Sequence, residues 1–231
     1  MFILGVRRAW IAGAVLLVCF ALNLIAPVVI SSQRALPHEG FFVSTYDGPV
    51  PVTVETTLSP GAEDDEVDIA ARVLIDATEY RDSYTANVAS TFPVRDRDGL
   101  TYFFPYQPER RTYPYVDPFA GEAVPLDYVG PGNVGGVQTN KYRASIADGD
   151  YRAERVIDLE RSTGHVLDET WATSGGPVDG YFRLSEASRA EALAEAQREI
   201  AVLRALQVLA FVTRLVAVLT LAWLAICIVR R

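Results

Sequence analysis

The sequence predicts a mostly β, antiparallel exported domain held between two transmembrane helices, the C-terminal one extended into an extracytoplasmic stalk. Three observations predict it. Long apolar runs stand near both ends of the 231-residue chain, short alternating runs separated by turn signals fill its middle, and a stretch of strong helix formers leads into the second apolar run.

Residues 1–8 read as a cytoplasmic N-terminus and 9–30 as the first span. Ala9 to Ile30 is broken only by Asn23, and at about 1.5 Å per residue it reaches roughly 33 Å, enough for a bilayer core. A secretory signal peptide is the rival reading, since Arg7 and Arg8 would serve as its basic region. Its apolar core would be only about 7 to 15 residues, and no clean small-x-small cleavage site follows, so an uncleaved anchor is the expectation. Residues 210–229 read as the second span and 230–231 as a cytoplasmic C-terminus. Arg214, a charge within that run, lies near the expected outer boundary and is expected to snorkel to the headgroups. Arginine pairs beyond the outer end of each run, Arg7 with Arg8 and Arg230 with Arg231, place both termini in the cytoplasm by the positive-inside rule. The expected location is therefore the plasma membrane, with the main domain outside.

Residues 31–184 read as that domain. All 29 acidic residues lie between Glu39 and Glu199, with only 14 of the 21 basic ones, a net charge of −15. Such a field repels nucleic acid and anionic membrane surfaces. Both cysteines, Cys19 and Cys227, fall in the spans, so no disulfide is expected outside. Strand candidates are PVTVETTLS, VDIAARVLI, SYTANVASTF, LTYFFPY, GVQTNKYRASI, RAERVIDLE and HVLDETWA, with turn signals between them that include Asp98-Gly99 and Gly130-Pro131-Gly132-Asn133. Ala153 to Ala172 predicts a hairpin, with Gly164 taking a positive φ. Residues 185–209 predict the helical stalk, capped by Ser185. Leu193, Ala196, Ile200 and Leu203 recur on one face. A coiled-coil seam is the sharper reading of that face, but it spans barely two heptads, so packing on the β domain is expected.

Catalytic signatures do not emerge. His38 and His165 are the two histidines, and they combine with no cysteine at zinc-ligand spacing, so neither a metal site nor a cofactor is expected. The acidic run Glu63, Asp64, Asp65, Glu66 and Asp68 lacks the calcium-loop glycine and reads as solvated. Nucleophile elbow, phosphate loop and dinucleotide fingerprint are all missing, and an enzyme is not expected.

The stretch DGLTYFFPYQPERRTYPYVDP, Asp98 to Pro118, holds six aromatic rings, four prolines and paired arginines. Leu100 to Tyr106 reads as a strand stopped by Pro105 and Pro108, and alternation puts Phe103 and Phe104 on opposite faces. Arg110 and Arg111 have two readings. They stack on Tyr113 or Tyr115 or pair with Asp117, or they rim a site for a ligand with polar or anionic groups. The candidate ligand-binding set is Phe103, Phe104, Tyr106, Arg110, Arg111, Tyr113 and Tyr115, in which one of the phenylalanines lines an apolar cavity and the arginines stand at its mouth.

This stretch resembles the signature of the actinobacterial porin PorA family, in which an Asp-Gly-Leu run, a Phe-Pro step and a Tyr-Pro-Tyr-x-Asp step follow in this order. YVGPGNVGGVQTNKYRA and RVIDLERSTGHVLDETW are similar to further family segments, and an anchor at each end also fits. The resemblance implies the two-anchor plan of the class B scavenger receptors, whose exported domain encloses a lipid-conducting cavity, and a role in mycolate-envelope assembly beside a lipid exporter. It implies a membrane lipid or glycolipid as partner and no catalytic residues. The expected function is an extracytoplasmic lipid-binding or lipid-transfer accessory; the alternative is a scaffold that contacts an exporter or growth machinery without binding lipid. A transmembrane barrel is not expected, because the anchors are helices and the strand candidates are short for lipid-facing strands.

Overall fold

The computed structural model describes residues 2–95 and 97–229. It divides into two compact units, one formed by the segments Met1–Gln33 and Ile200–Arg231, the other by Arg34–Glu199. Helix α1 runs Phe2–Gln33 and α2 runs Glu186–Val229. Both contain a window long and apolar enough to cross a membrane. The arginines at 230 and 231 lie outside the described residues.

In the helical unit the polar interruptions of the two spans meet. Asn23 Nδ2 donates to Thr213 Oγ1 at 2.9 Å, and Arg214 Nε donates to Asn23 Oδ1 at 3.1 Å. Arg214, expected to snorkel, has Asn23 as a partner as well. Inside apolar surroundings an unpaired polar group is costly, so Asn23 and Arg214 satisfy one another. Ala12, Cys19, Leu203 and Thr213 are buried, while Leu17, Phe20, Phe211 and Leu219 face outward, as side chains do in lipid.

The other unit is one antiparallel sheet of ten strands curved into a half-barrel. The strands are β1 Gly40–Asp47, β2 Val52–Pro60, β3 Glu66–Ile75, β4 Thr78–Asn87, β5 Tyr113–Val116, β6 Ala123–Val134, β7 Val137–Asp148, β8 Tyr151–Glu160, β9 Val166–Ser174 and β10 Gly180–Leu184. Their order is β4-β3-β2-β1-β10-β9-β8-β7-β6-β5. Two meanders therefore join at a seam between β1 and β10, where Tyr46 pairs with Leu184 and Asp47 with Arg183.

Period-two patterning sets the curvature's inside and outside. Val52, Val54 and Leu58 of β2 face Val67, Ile69, Val73 and Ile75 of β3 on the buried side. The outer side is charged. Register sets Arg72 opposite Arg81 and beside Glu55, and Glu79 neutralises the pair at 3.0 Å from Arg72 and 2.6 Å from Arg81. Those bonds from Arg72 and Arg81 hold the Glu79 carboxyl down to about 2.

Two local expectations are overturned. Gly130-Pro131-Gly132-Asn133 is not a turn but part of β6. The chain reverses later, at Gly135 and Gly136, both at positive φ between paired Val134 and Val137, a two-residue hairpin. Proline is tolerated within β6 because β5 pairs only with Ala123 to Leu126, leaving Pro131 beyond it. Nor is Leu100 to Tyr106 a strand. Only Leu100 makes a bridge, parallel to Tyr115. Several strands also reach ten or twelve residues, longer than the runs read from the sequence.

Candidate functional site

The two edges of the open sheet, β4 and β5, are consecutive in the chain. The segment joining them, residues 88–112, of which 96 lies outside the described residues, links the two edges of the half-barrel. It forms a strap. Connections of this length without regular structure are uncommon in compact units and mark lids or binding loops.

The strap is tied by backbone bonds near β4 and β5 and by side chains along its length, among them Arg97 on Asp82 at 2.8 Å. At β4, Asn87 N donates to Phe92 O at 2.9 Å and Val94 N to Thr85 O at 3.0 Å. At β5, Leu100 N donates to Pro114 O, Val116 N to Leu100 O, and Thr101 Oγ1 to Val116 O. Further on, side chains hold its carbonyls, Asn140 Nδ2 on Pro108 O at 2.9 Å and the Tyr142 hydroxyl on Glu109 O at 2.6 Å. The turn between β8 and β9 touches it closely: a Cβ on Gly164, whose φ is 76°, would lie 2.4 Å from Pro105 O.

The strap and β5 carry the candidate residues, and the structure separates them. Phe104, Tyr113 and Tyr115 are buried in the core with Leu100, Leu126, Tyr142 and Leu159. Phe103 is half-buried and meets Phe42 edge-on at 5.5 Å, beside a second cluster of Leu58, Ile69 and Tyr84. Tyr106 is half-buried beneath the Arg34 guanidinium, 4.9 Å from its ring centre. Arg110 is exposed. Arg111 is exposed too, stacks on Tyr113 at 4.9 Å and pairs with Glu109 at 2.9 Å, which fits the stacking reading made from the sequence. Phe103 and Phe104 thus pack in different clusters, and aromatic rings occupy the concave side.

A buried polar centre, which sequence reasoning missed, lies among these rings. Arg155 and Asp117 are 0% and 1% exposed and pair at 2.5 Å, with the guanidinium 3.8 Å over the Trp171 ring. Burial alone would lower the Arg155 pKa, but Asp117 holds it above the usual value. The Tyr46 hydroxyl donates to Glu169 at 2.7 Å, and burial raises the Glu169 carboxyl above the carboxylate range. Asp117 was one of the partners that the sequence offered for Arg110 or Arg111. Its partner is instead Arg155, thirty-eight residues on, with the Tyr151 hydroxyl at 3.0 Å.

A second group that the sequence did not disclose combines His165, after the β8–β9 turn, with Glu195 and Glu199 of α2. His165 Nε2 lies 3.1 Å from Glu199 Oε2. The pair of glutamates four apart on a helix was the available signal.

The family model described as Porin PorA matches residues 9–174, and the chain belongs to that family. No curated protein matches it.

Proposed function

We propose that this member of the porin PorA family is a membrane-anchored accessory that takes the acyl part of an envelope lipid onto the concave side of its half-barrel, with the strap 88–112 as the displaceable plug. The strap is the observation that carries the reading. It joins the two sheet edges, puts Leu100 and Phe104 into the core, and forms no strand or helix of its own. Segments of that kind open locally well below the cost of global unfolding. Its displacement would exchange protein rings for lipid chains against the same apolar wall. Arg110 and Arg111 stand exposed where the strap meets β5 and supply donors for a sugar or acidic head.

The porin description fits this reading only as a family label. A lipid-embedded barrel turns apolar residues outward, whereas here Glu55, Arg72, Glu79 and Arg81 face out and the apolar residues face in.

Native mass spectrometry of the full chain extracted in mild detergent tests the proposal. Lipid bound in a defined ratio, above that on an unrelated protein with two spanning helices, is expected. Arg110→Ala with Arg111→Ala should lower occupancy several-fold and leave the fold unchanged, since exposed arginines contribute little to stability. Lipid no greater than on the control would leave the scaffold reading in its place. Full occupancy in the double variant would remove the arginines from the site.

A further inference from the structure

We infer that His165, Glu195 and Glu199 form a binding site for a divalent transition-metal ion, zinc being the best fit, which clasps the start of α2 to the β8–β9 turn. The three offer one imidazole nitrogen and two carboxylate oxygens, all within 4.8 Å of one another. Two ligands on a tetrahedral zinc ion sit about 3.4 Å apart, given bond lengths of roughly 2.0 to 2.2 Å. His165 Nε2 and Glu199 Oε2 are already at 3.1 Å. Glu195, partly exposed, is the ligand that has to close in.

The ligands come from two independently held elements. Glu195 and Glu199 are one helical turn apart on α2, so their side chains share a face. His165 is fixed by its turn: Glu160 N donates to His165 O at 2.8 Å and Gly164 N to Glu160 O at 3.0 Å. The Glu160 carboxylate is committed to that turn, accepting from Ser162 N, Thr163 N and Thr163 Oγ1 at 2.6, 2.6 and 2.9 Å. Through Oε2 it shapes the turn, and it adds negative charge beside His165. Around His165 the charges that act on it are the carboxylates of Glu199, Glu195 and Glu160. Three carboxylates around one imidazole make a field that favours a cation.

Ligand type narrows the ion. An imidazole with two carboxylates suits zinc and its first-row neighbours, whereas calcium and magnesium want oxygen alone. All three ligands are partly buried, so a fourth position remains open to water. Two glutamates on one helical face repel each other without a cation between them, which gives the ion a structural role.

The test uses the full chain in detergent, stripped with chelator, with both Cys19 and Cys227 changed to Ala so that no thiolate competes. Cobalt(II) is the probe. One cobalt per chain is expected, with the visible absorption of a four- or five-coordinate ion, displaced stoichiometrically by zinc. Glu199→Gln and His165→Gln should each weaken binding at least about tenfold, the range seen when metal-site residues are lost. His165→Cys separates ligation from a merely structural role, because a bound thiolate adds an intense charge-transfer band. That variant also carries the test if a glutamine variant misfolds. A chain that takes up no cobalt or zinc overturns the site. So does cobalt binding that His165→Cys leaves without the new band, or that both glutamine variants leave unchanged.

Discussion

Arg155 shows how one residue organises the interior of the half-barrel. Its charge is removed from water entirely, so it persists only because Asp117 neutralises it and Trp171 stacks beneath it. Removing one partner strands the other. Arg155→Met is expected to cost about 3 to 5 kcal/mol, and Asp117→Asn a similar amount, because each leaves an uncompensated buried charge. The double variant should cost clearly less than the two together, since neither charge is then left alone. Denaturant titration of the full chain followed by near-ultraviolet circular dichroism measures this. Additive costs would mean that the two do not act as a pair.

At the scale of elements, the C-terminal helix begins where a serine network stops β10. Ser185 Oγ accepts from Ser188 N at 3.2 Å and contacts Thr45 Oγ1 at 2.6 Å, while Ser188 Oγ accepts from Thr45 N at 3.0 Å. Ser185→Ala should therefore cost about 0.5 to 2 kcal/mol. Faster hydrogen exchange confined to the first turn of α2 and the facing end of β1 is the expected signature, and unchanged exchange there would show that the cap is idle. This cap was legible in the sequence because capping is local chemistry. So was the Ala153 to Ala172 hairpin, fixed by a few neighbouring residues. Leu193 also lies against the Gly135 turn, where a Cβ would fall 2.4 Å from its Cδ2, so the first turns of α2 pack on the β unit. Strand β6 was hidden by its Gly-Pro-Gly-Asn, which is a turn signal everywhere except on a free edge. Which strand is an edge is a property of the whole sheet. The same non-locality hid the strap: the aromatic density of residues 98–118 was visible, but its place between the sheet edges follows only once β4 and β5 are known to be the two edges. Asp117 with Arg155, and His165 with the α2 glutamates, are likewise pairs that only folding brings together.

At the scale of the whole molecule, charge and hydropathy argue for one arrangement in the membrane. Two apolar helices frame the β unit in sequence, so if each crosses once, the two chain ends share a side and the unit takes the other. Which side follows from charge. The segment between Glu39 and Glu199 carries −15, whereas Arg7, Arg8, Arg230 and Arg231 flank the spans at their outer ends, and basic residues next to a span are retained in the cytoplasm. On β2 to β4 the outward side of the sheet bears an ion-pair network where a barrel would carry lipid-facing side chains. Met1 and Arg231 are therefore expected inside, with Arg34 to Ala205 outside. Fusing a reporter that is active only in the cytoplasm to either terminus should give signal, and inserting it at the Gly135-Gly136 turn should give none. A reporter active only outside should show the reverse at all three positions. Signal from the outside reporter at either terminus would mean that one helix does not cross, and the two-anchor arrangement would fall with it.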